Sequence, residues 1–405
     1  MSKFVKLSSI AELTVGFVGT MAKHYEDEGI PFLRSLNIKP FKIISDDMKY
    51  VSAEFSNSLS KSILHTGDVV IVRTGIPGTC CVVPAEYDGC NCSDVVIVHP
   101  NTELVNPHYL AAYINFWGQR QIQNNKVGAI QQHFNVHSAE EMLIFLPDIT
   151  EQEKIAKTIV ALNGKIENNF SVCVELEAMA KTLYDYWFTQ FDFPDENGKP
   201  YCSSGGEMVW NDQLKRKIPK GWSAGQLSDI ANITMGQSPS GDTYNENGSG
   251  TIFYQGCTDF GTRFPVPRVY TSAPTRFAKA GDILMSVRAP VGTLNIAMED
   301  CCIGRGLAAL NSKFGSQLHL LYTLSGFKQL FDVMDGNGTT FGSITKDTLF
   351  EMKVVIPRRD QIKSFEEMVQ PIEQKIRITE QENRELTKLR DWLLPMLMNG
   401  QAAVE

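Results

Sequence analysis

Arginine, asparagine and glutamine can each make two parallel hydrogen bonds to a base edge, and lysine meets phosphate oxygens as a point charge. In this 405-residue sequence such side chains recur in short polar stretches between apolar runs. A first set comprises Arg34, Ser35, Asn37 and Lys39, then Arg73 and Thr74, then Lys126, Gln131, Gln132 and His133. A second comprises Gln237, Ser238 and Ser240, then Gln255, Arg263, Arg288 and Arg305, then Thr339 and Thr340. Singly, each reads more readily as a solvated loop residue. Together they are candidates for contacting nucleic acid, because they fall where two otherwise matching halves of the chain diverge, and divergent loops on a shared scaffold are where specificity resides.

Catalytic signatures are missing from the same stretches. The Gly-Lys pairs at Gly164 and Gly198 lack the preceding glycine pattern of a phosphate loop. No Asn/Asp-Pro-Pro-aromatic motif is present to hold an exocyclic amine, and no glycine-rich loop follows a strand to hold a nucleoside cofactor. The run Asp195-Glu196-Asn197-Gly198-Lys199 has nuclease-like carboxylates but sits in a Pro- and Gly-rich connector. Cysteines occur as Cys80-Cys81, Cys301-Cys302 and Cys90-x-Cys92, without the spacing of a zinc site, and read as buried thiols. No catalytic residue and no metal ligand is therefore assigned.

The elements that must carry these loops are written twice. Leu7 to Gly16, LSSIAELTVG, returns as LSDIANITMG, Leu227 to Gly236, and each copy reads as the opening strand of a domain. Gly67 to Thr79 and Gly281 to Thr293 have equal length and share Gly-Asp at the start and Gly-Thr at the end, a turn, a buried strand and a second turn. Amphipathic helices are expected over 108–122 and 317–331. The segments 128–147 and 338–357 then match in length and end EMLIFLP and EMKVVIP. A repeat that predicts its own next match is a duplication rather than a coincidence.

After each of those prolines the pattern becomes one long helix. Thr150 with Glu153 forms a capping box, and Asp360 holds the matching N-cap place in the second copy. Ile155, Ile159, Leu162, Ile166, Leu176, Leu183 and Trp187 form an apolar seam at heptad spacing, interrupted by Asn169 and Cys173. Phe365, Val369, Ile372, Ile376 and Leu386 continue the theme, with Thr379 and Asn383 inside it, before a shift to Leu389 and Leu393. Each helix exceeds thirty residues, and at ~1.5 Å per residue spans roughly 50 Å, so the two can close each other's seams. The fold expected is α/β (α+β): two similar globular domains, 1–149 and 219–356, separated by long helices over 150–190 and 357–400. A flexible connector over 191–218 lets the second domain swing back.

The net charge of −8 divides as −4 over 1–149, zero over 219–356 and −4 over the remainder. Neither globular part is basic, so phosphate contacts from this chain alone should be few. No run of about eighteen apolar residues appears, and the first residues have no apolar leader. A cytoplasmic protein without a membrane span is expected.

FDFPDENGKPYCSSGGEMVW followed by IPKGW, then GRGLAAL at Gly304 to Leu310, and LRDWLLPMLMNGQ at Leu389 to Gln401 resemble, in this order, the specificity subunits of type I restriction-modification systems. The resemblance covers essentially the whole chain. It implies two target recognition domains, each reading half of a bipartite double-stranded DNA sequence, and an antiparallel coiled coil with pseudo-twofold symmetry that sets the unread spacer. It also implies two docked modification (methyltransferase) subunits and ATP-driven restriction subunits, with S-adenosylmethionine, ATP and Mg on those partners and no cofactor on this chain. A duplicated coiled-coil scaffold that reads no DNA is the alternative, and an enzyme with unusual motifs a distant third.

Overall fold

A computed structural model describes residues 3–118, 121, 134–336, 343–399 and 401. The chain divides into two compact units, one of Met1–Ser171 with Thr379–Glu405 and one of Val172–Ile378.

In the first unit, strands β1 (Ala11–Val15), β2 (Val69–Val72), β3 (Cys80–Val82) and β4 (Val95–Pro100) form an antiparallel sheet in the order β1-β4-β2-β3. In the second, β5 (Ala231–Met235), β6 (Ile283–Ser286), β7 (Leu294–Ile296) and β8 (Leu307–Ser312) repeat the arrangement as β5-β8-β6-β7. Val69 lies opposite Val98 as Ile283 lies opposite Leu310. The central strands read as unbroken apolar runs because both of their faces are covered. Val69 and Ile71 enter one core, Val70 and Val72 another, and Met285 and Leu284 are divided in the same way.

The repeated Gly-Asp has a mechanical reason. Gly67 and Gly281 take left-handed φ values of 94° and 91°, which a Cβ would disfavour. The following aspartates close the turns, Asp68 accepting from the His65 amide at 2.7 Å and Asp282 from Lys279 at 2.8 Å. Each also ties the turn to the neighbouring strand, Asp68 to His99 at 2.7 Å and Asp282 to Asn311 at 2.9 Å. The Asp68 hydrogen bond raises the His99 pKa against the opposing effect of burial.

The opening phrase differs from its expected form. Leu7–Ser9 is a 3₁₀ turn and Leu227–Ile230 a single α-turn, and the strand begins only at Ala11 and Ala231. A turn buries Leu7 with Ile10, and Leu227 with Ile230, on one side, which a strand would not do for residues three apart.

The long helices run Ile149–Tyr184, continued by a π-turn over Asp185–Thr189, and Arg359–Met398. Within the first unit they are antiparallel: Arg390 donates to Asn163 at 3.0 Å, Asn383 to the Ile166 carbonyl at 3.0 Å and Asn169 to Glu382 at 2.7 Å. Of the polar seam residues, Asn169 and Asn383 are thus spent on register-specific bonds across the pair, whereas the buried Thr379 hydroxyl makes none among the described residues. Within the second unit the direction is the same, with Cys173 on the Ile376 carbonyl and Tyr184 and Trp187 on Phe365.

Ile155, Ile159 and Trp187, and Phe365, Val369 and Ile376, are buried, while Leu162, Ile166, Leu176, Leu183, Ile372, Leu386 and Leu393 are partly so. Leu389 is not in the seam but 42% exposed, and Leu394, Leu397 and Met398 are buried instead. The helix end packs both on the start of its partner, at Ile155, and on the domain core around Val98 and Tyr109, which selects a different face.

The expected caps move as well. Asp148, not Thr150, accepts from the Glu151 amide at 3.0 Å. Asp360 lies inside the first turn, paired with Arg358 at 2.9 Å, where a carboxylate suits the helix dipole. The helix expected over 108–122 is an α-segment, Pro107–Tyr113, with a π-turn to Gly118, and that over 317–331 runs from Gln317 to Gly336.

The stretch expected to be a flexible connector is a folded part of the second unit. Phe191, Phe193 and Trp222 are buried, Phe193 stacks on Trp222 at 5.1 Å, and Met208–Asn211 pairs with Arg216–Pro219 as a hairpin. Asp195 there accepts from the Asn197 and Lys199 amides, each at 2.8 Å, so the nuclease-like carboxylate closes a turn. No helix among the described residues is long and apolar enough to cross a membrane.

Candidate nucleic-acid interface

Antiparallel pairing brings alternate loops to the same end of a sheet. In the first unit that end collects Gly16 after β1, the Arg73–Gly78 turn between β2 and β3, and Ser93-Asp94 before β4. The strand Ile30–Leu33 delivers Arg34 to it as well, because Leu33 pairs in parallel with Cys92 and its carbonyl accepts from the Ser93 amide at 2.9 Å. In the second unit the same end collects Gly236-Gln237, Arg288 and Gly304-Arg305. There Thr251–Tyr254 pairs in parallel with Cys301–Ile303, the Gly304 amide meets the Tyr254 carbonyl at 2.8 Å, and Gln255 arrives where Arg34 does in the first copy.

Most described members of both sets thus gather at one sheet end per unit. Lys39, Gln237, Ser240, Gln255, Arg288 and Arg305 are exposed there or on adjoining loops. Arg34 is largely covered, its guanidinium 2.9 Å from the Asp47 carboxylate, which Arg34 and Lys49 together hold below its usual pKa. Arg73 donates from Nε to the Phe134 carbonyl at 3.2 Å. Ser238 links the loops of its unit, donating to Gln255 at 3.5 Å and accepting from the Arg305 amide at 3.2 Å. Lys126, Gln131, Gln132, His133, Thr339 and Thr340 lie outside the described residues.

Two candidates are corrected. Asn37 is fully buried, accepting from the Arg34 amide and donating to the Ile44 and Asp46 carbonyls. It shapes the loop and cannot reach a ligand. Arg263 is 4% exposed, with Glu373 at 3.5 Å, Glu177 at 3.6 Å and the Tyr322 hydroxyl at 3.0 Å. Burial pushes the Glu373 carboxyl up and the guanidinium opposes it. Arg263 therefore ties its loop to both long helices within the second unit.

Three residues at these sheet ends were missed. Thr275 donates to the Gln237 carbonyl and Arg276 is exposed beside it, its carbonyl accepting from Ile303. Asp94 binds Ser35 and Thr74. Their one sequence signal is a place beside the repeated strands. Among the described residues Arg276, Arg288 and Arg305 make no side-chain ion pair, so the second unit presents uncommitted guanidiniums where the first presents committed ones. Burial pushes the Cys90 and Cys301 thiols up to about 12, and no group of three or more possible metal ligands occurs among the described residues.

Residues 219–388 match the family model of the type I restriction modification DNA specificity domain. A chain of Methanocaldococcus jannaschii, named for the specificity subunit of the type I restriction enzyme MjaX, is 29% identical over 96% of this chain and 91% of its own. The HindI specificity subunit of Haemophilus influenzae is 23% identical over 87% of this chain and 91% of its own. The solved S subunit of a type I restriction-modification system from M. genitalium superimposes with a TM-score of 0.57 at 15% identity, covering 98% of this chain and 96% of that one, which speaks to the fold. The duplicated sheet, the paired long helices and relatives matched along nearly their whole length point the same way: this chain is similar to the type I restriction-modification DNA specificity subunits, and its residues 219–388 match their specificity domain.

Proposed function

We propose that the chain supplies the DNA sequence specificity of a type I restriction-modification complex and performs no catalysis itself. Residues 1–149 and 219–356 act as target recognition domains, each reading one half of a bipartite target through the loops at its sheet end. The helices over 150–190 and 357–400 set the unread gap, with 191–218 joining the halves. Two modification subunits dock on this chain and restriction subunits join them, bringing S-adenosylmethionine, ATP and Mg. The observation that carries this reading is the identical strand framework that delivers unlike side chains to the same place in both units, Arg34 against Gln255 and Asp94 against Arg305. A constant framework with different tips suits reading two different half-sites.

The test is to co-express the chain with its cognate modification subunit and map methylated bases across a genome. Two short motifs at a fixed gap are expected. A single contiguous motif would overturn the reading. Unchanged targets after Arg288→Ala and Arg305→Ala together would favour the scaffold alternative.

A further inference from the structure

The two sheet ends share a framework but differ at the joint between loops. In the second unit the joint is Gly304-Arg305-Gly306, and the loops meet largely through backbone and Ser238. In the first it is one residue shorter, Ser93-Asp94, with Asp94 held at a left-handed φ of 58° that Asp and Asn tolerate better than most. Ser35 Oγ lies 2.8 Å from both the Asp94 carbonyl and its Oδ2, and Thr74 Oγ1 donates to the same Oδ2. The Arg73 amide approaches the Asp94 carbonyl at 3.4 Å. Asp94 therefore binds together the loop carrying Arg34 and the turn carrying Arg73. The hydroxyls of Ser35 and Thr74, candidates for DNA contact by residue type, are spent on it.

We propose that Asp94 is the positioning residue for the first half-site: by accepting from Ser35 and Thr74 it fixes the Arg34 loop against the Arg73 turn, and so sets which bases that unit accepts. The proposal rests on the DNA-reading function above. Recognition tolerates only about half an ångström of play in its contacting groups, and no other side-chain hydrogen bond among the described residues joins these two loops. The role needs acceptor oxygens at a left-handed position rather than a negative charge. Asparagine meets both needs, whereas glycine keeps the backbone conformation and removes the acceptors.

The experiment compares the full chain and its Asp94→Gly, Ser35→Ala/Thr74→Ala and Asp94→Asn variants, each co-expressed with the modification subunit, by mapping methylated sites. Asp94→Gly and the double variant should both lose about tenfold in discrimination at one or more positions of one half-site, with the other half and the gap unchanged. Asp94→Asn should rescue the original pattern. The proposal is overturned if both halves stay intact in Asp94→Gly and in the double variant, or if Asp94→Asn relaxes the half-site as far as Asp94→Gly, which would mean that the charge itself meets DNA. If Asp94→Gly lowers methylation at every site, the double variant, which keeps the carboxylate, decides. Failure of the unaltered chain to yield a bipartite motif is a separate outcome, and it removes the DNA-reading function rather than the role of Asp94 within it.

Discussion

Arg263 and Lys42 show how burial separates two superficially similar cations. Each leaves a loop of its unit to meet carboxylates on the long helices, Arg263 meeting Glu177 and Glu373, and Lys42 meeting Glu167 at 2.9 Å. The side chains of Arg263 and Glu373 are only 5% and 9% exposed, against 38% and 46% for Lys42 and Glu167. Removing one member of a buried pair strands the other charge and costs about 3–5 kcal/mol, while an exposed pair contributes ~1 kcal/mol or less. Arg263→Ala should therefore markedly lower the thermal unfolding midpoint and Lys42→Ala should barely move it. Comparable losses in the two variants would show that the buried pair is not specially strong. In the sequence Arg263 is one more arginine in a polar loop, because burial depends on Glu177 and Glu373, which lie far away along the chain.

At the scale of elements, the repeated phrase ends in glycine for reasons of different strength in its two copies. A Cβ on Gly236 would lie 2.1 Å from the Gly304 carbonyl oxygen and 2.8 Å from that of Leu307, both backbone. On Gly16 it would meet Cys92 and Ser93 at 3.0 to 3.2 Å, partly a side chain that can yield. Gly236→Ala is expected to cost at least about 2 kcal/mol and Gly16→Ala about 1 kcal/mol, measured by urea unfolding. Equal losses would show that the second strand crossing is no tighter than the first. The repeat was legible because its glycines and apolar residues recur at fixed spacing. The helical turn at its start was not, since Leu-Ser-x-Ile suits a strand or a turn until the burial of its first and fourth residues decides. The heptad seam was legible through Ile155 to Trp187 for the same reason, and misread at Leu389, where the helix changes what it packs against.

For the whole molecule the sharpest expectation concerns the long helices. Insertion of one heptad into each, near Ser171 and near Ile378, adds about 10 Å of helix, the rise of about three base pairs. With the cognate modification subunit present, the mapped gap between half-sites should lengthen by about that much while both half-sites keep their bases. A gap that stays constant, or half-sites that change, would rule out the helices as the ruler. Preserving the heptad matters because both seams carry polar residues with specific partners, Asn169 on Glu382 and Asn383 on the Ile166 carbonyl, and a shorter insertion would rotate them out of register.

By itself the sequence determined what periodicity and repetition can encode: two copies of one strand framework, two long amphipathic helices, and the places where the copies diverge. These are local patterns, readable from spacing because an apolar face recurs every two residues in a strand and every three or four in a helix. Only the tertiary structure decided which divergent residues reach the surface. Arg263 went inward because the distant Glu177 and Glu373 could meet it there, Asn37 because the folded loop around it satisfies its amide, and the Ser35 and Thr74 hydroxyls turned to Asp94. Arg288 and Arg305, joined by Arg276, stayed exposed where strands far apart in the chain end together. Those outcomes follow from pairings such as Leu33 with Cys92 and Tyr254 with Ile303, contacts between residues tens of positions apart that no local spacing specifies.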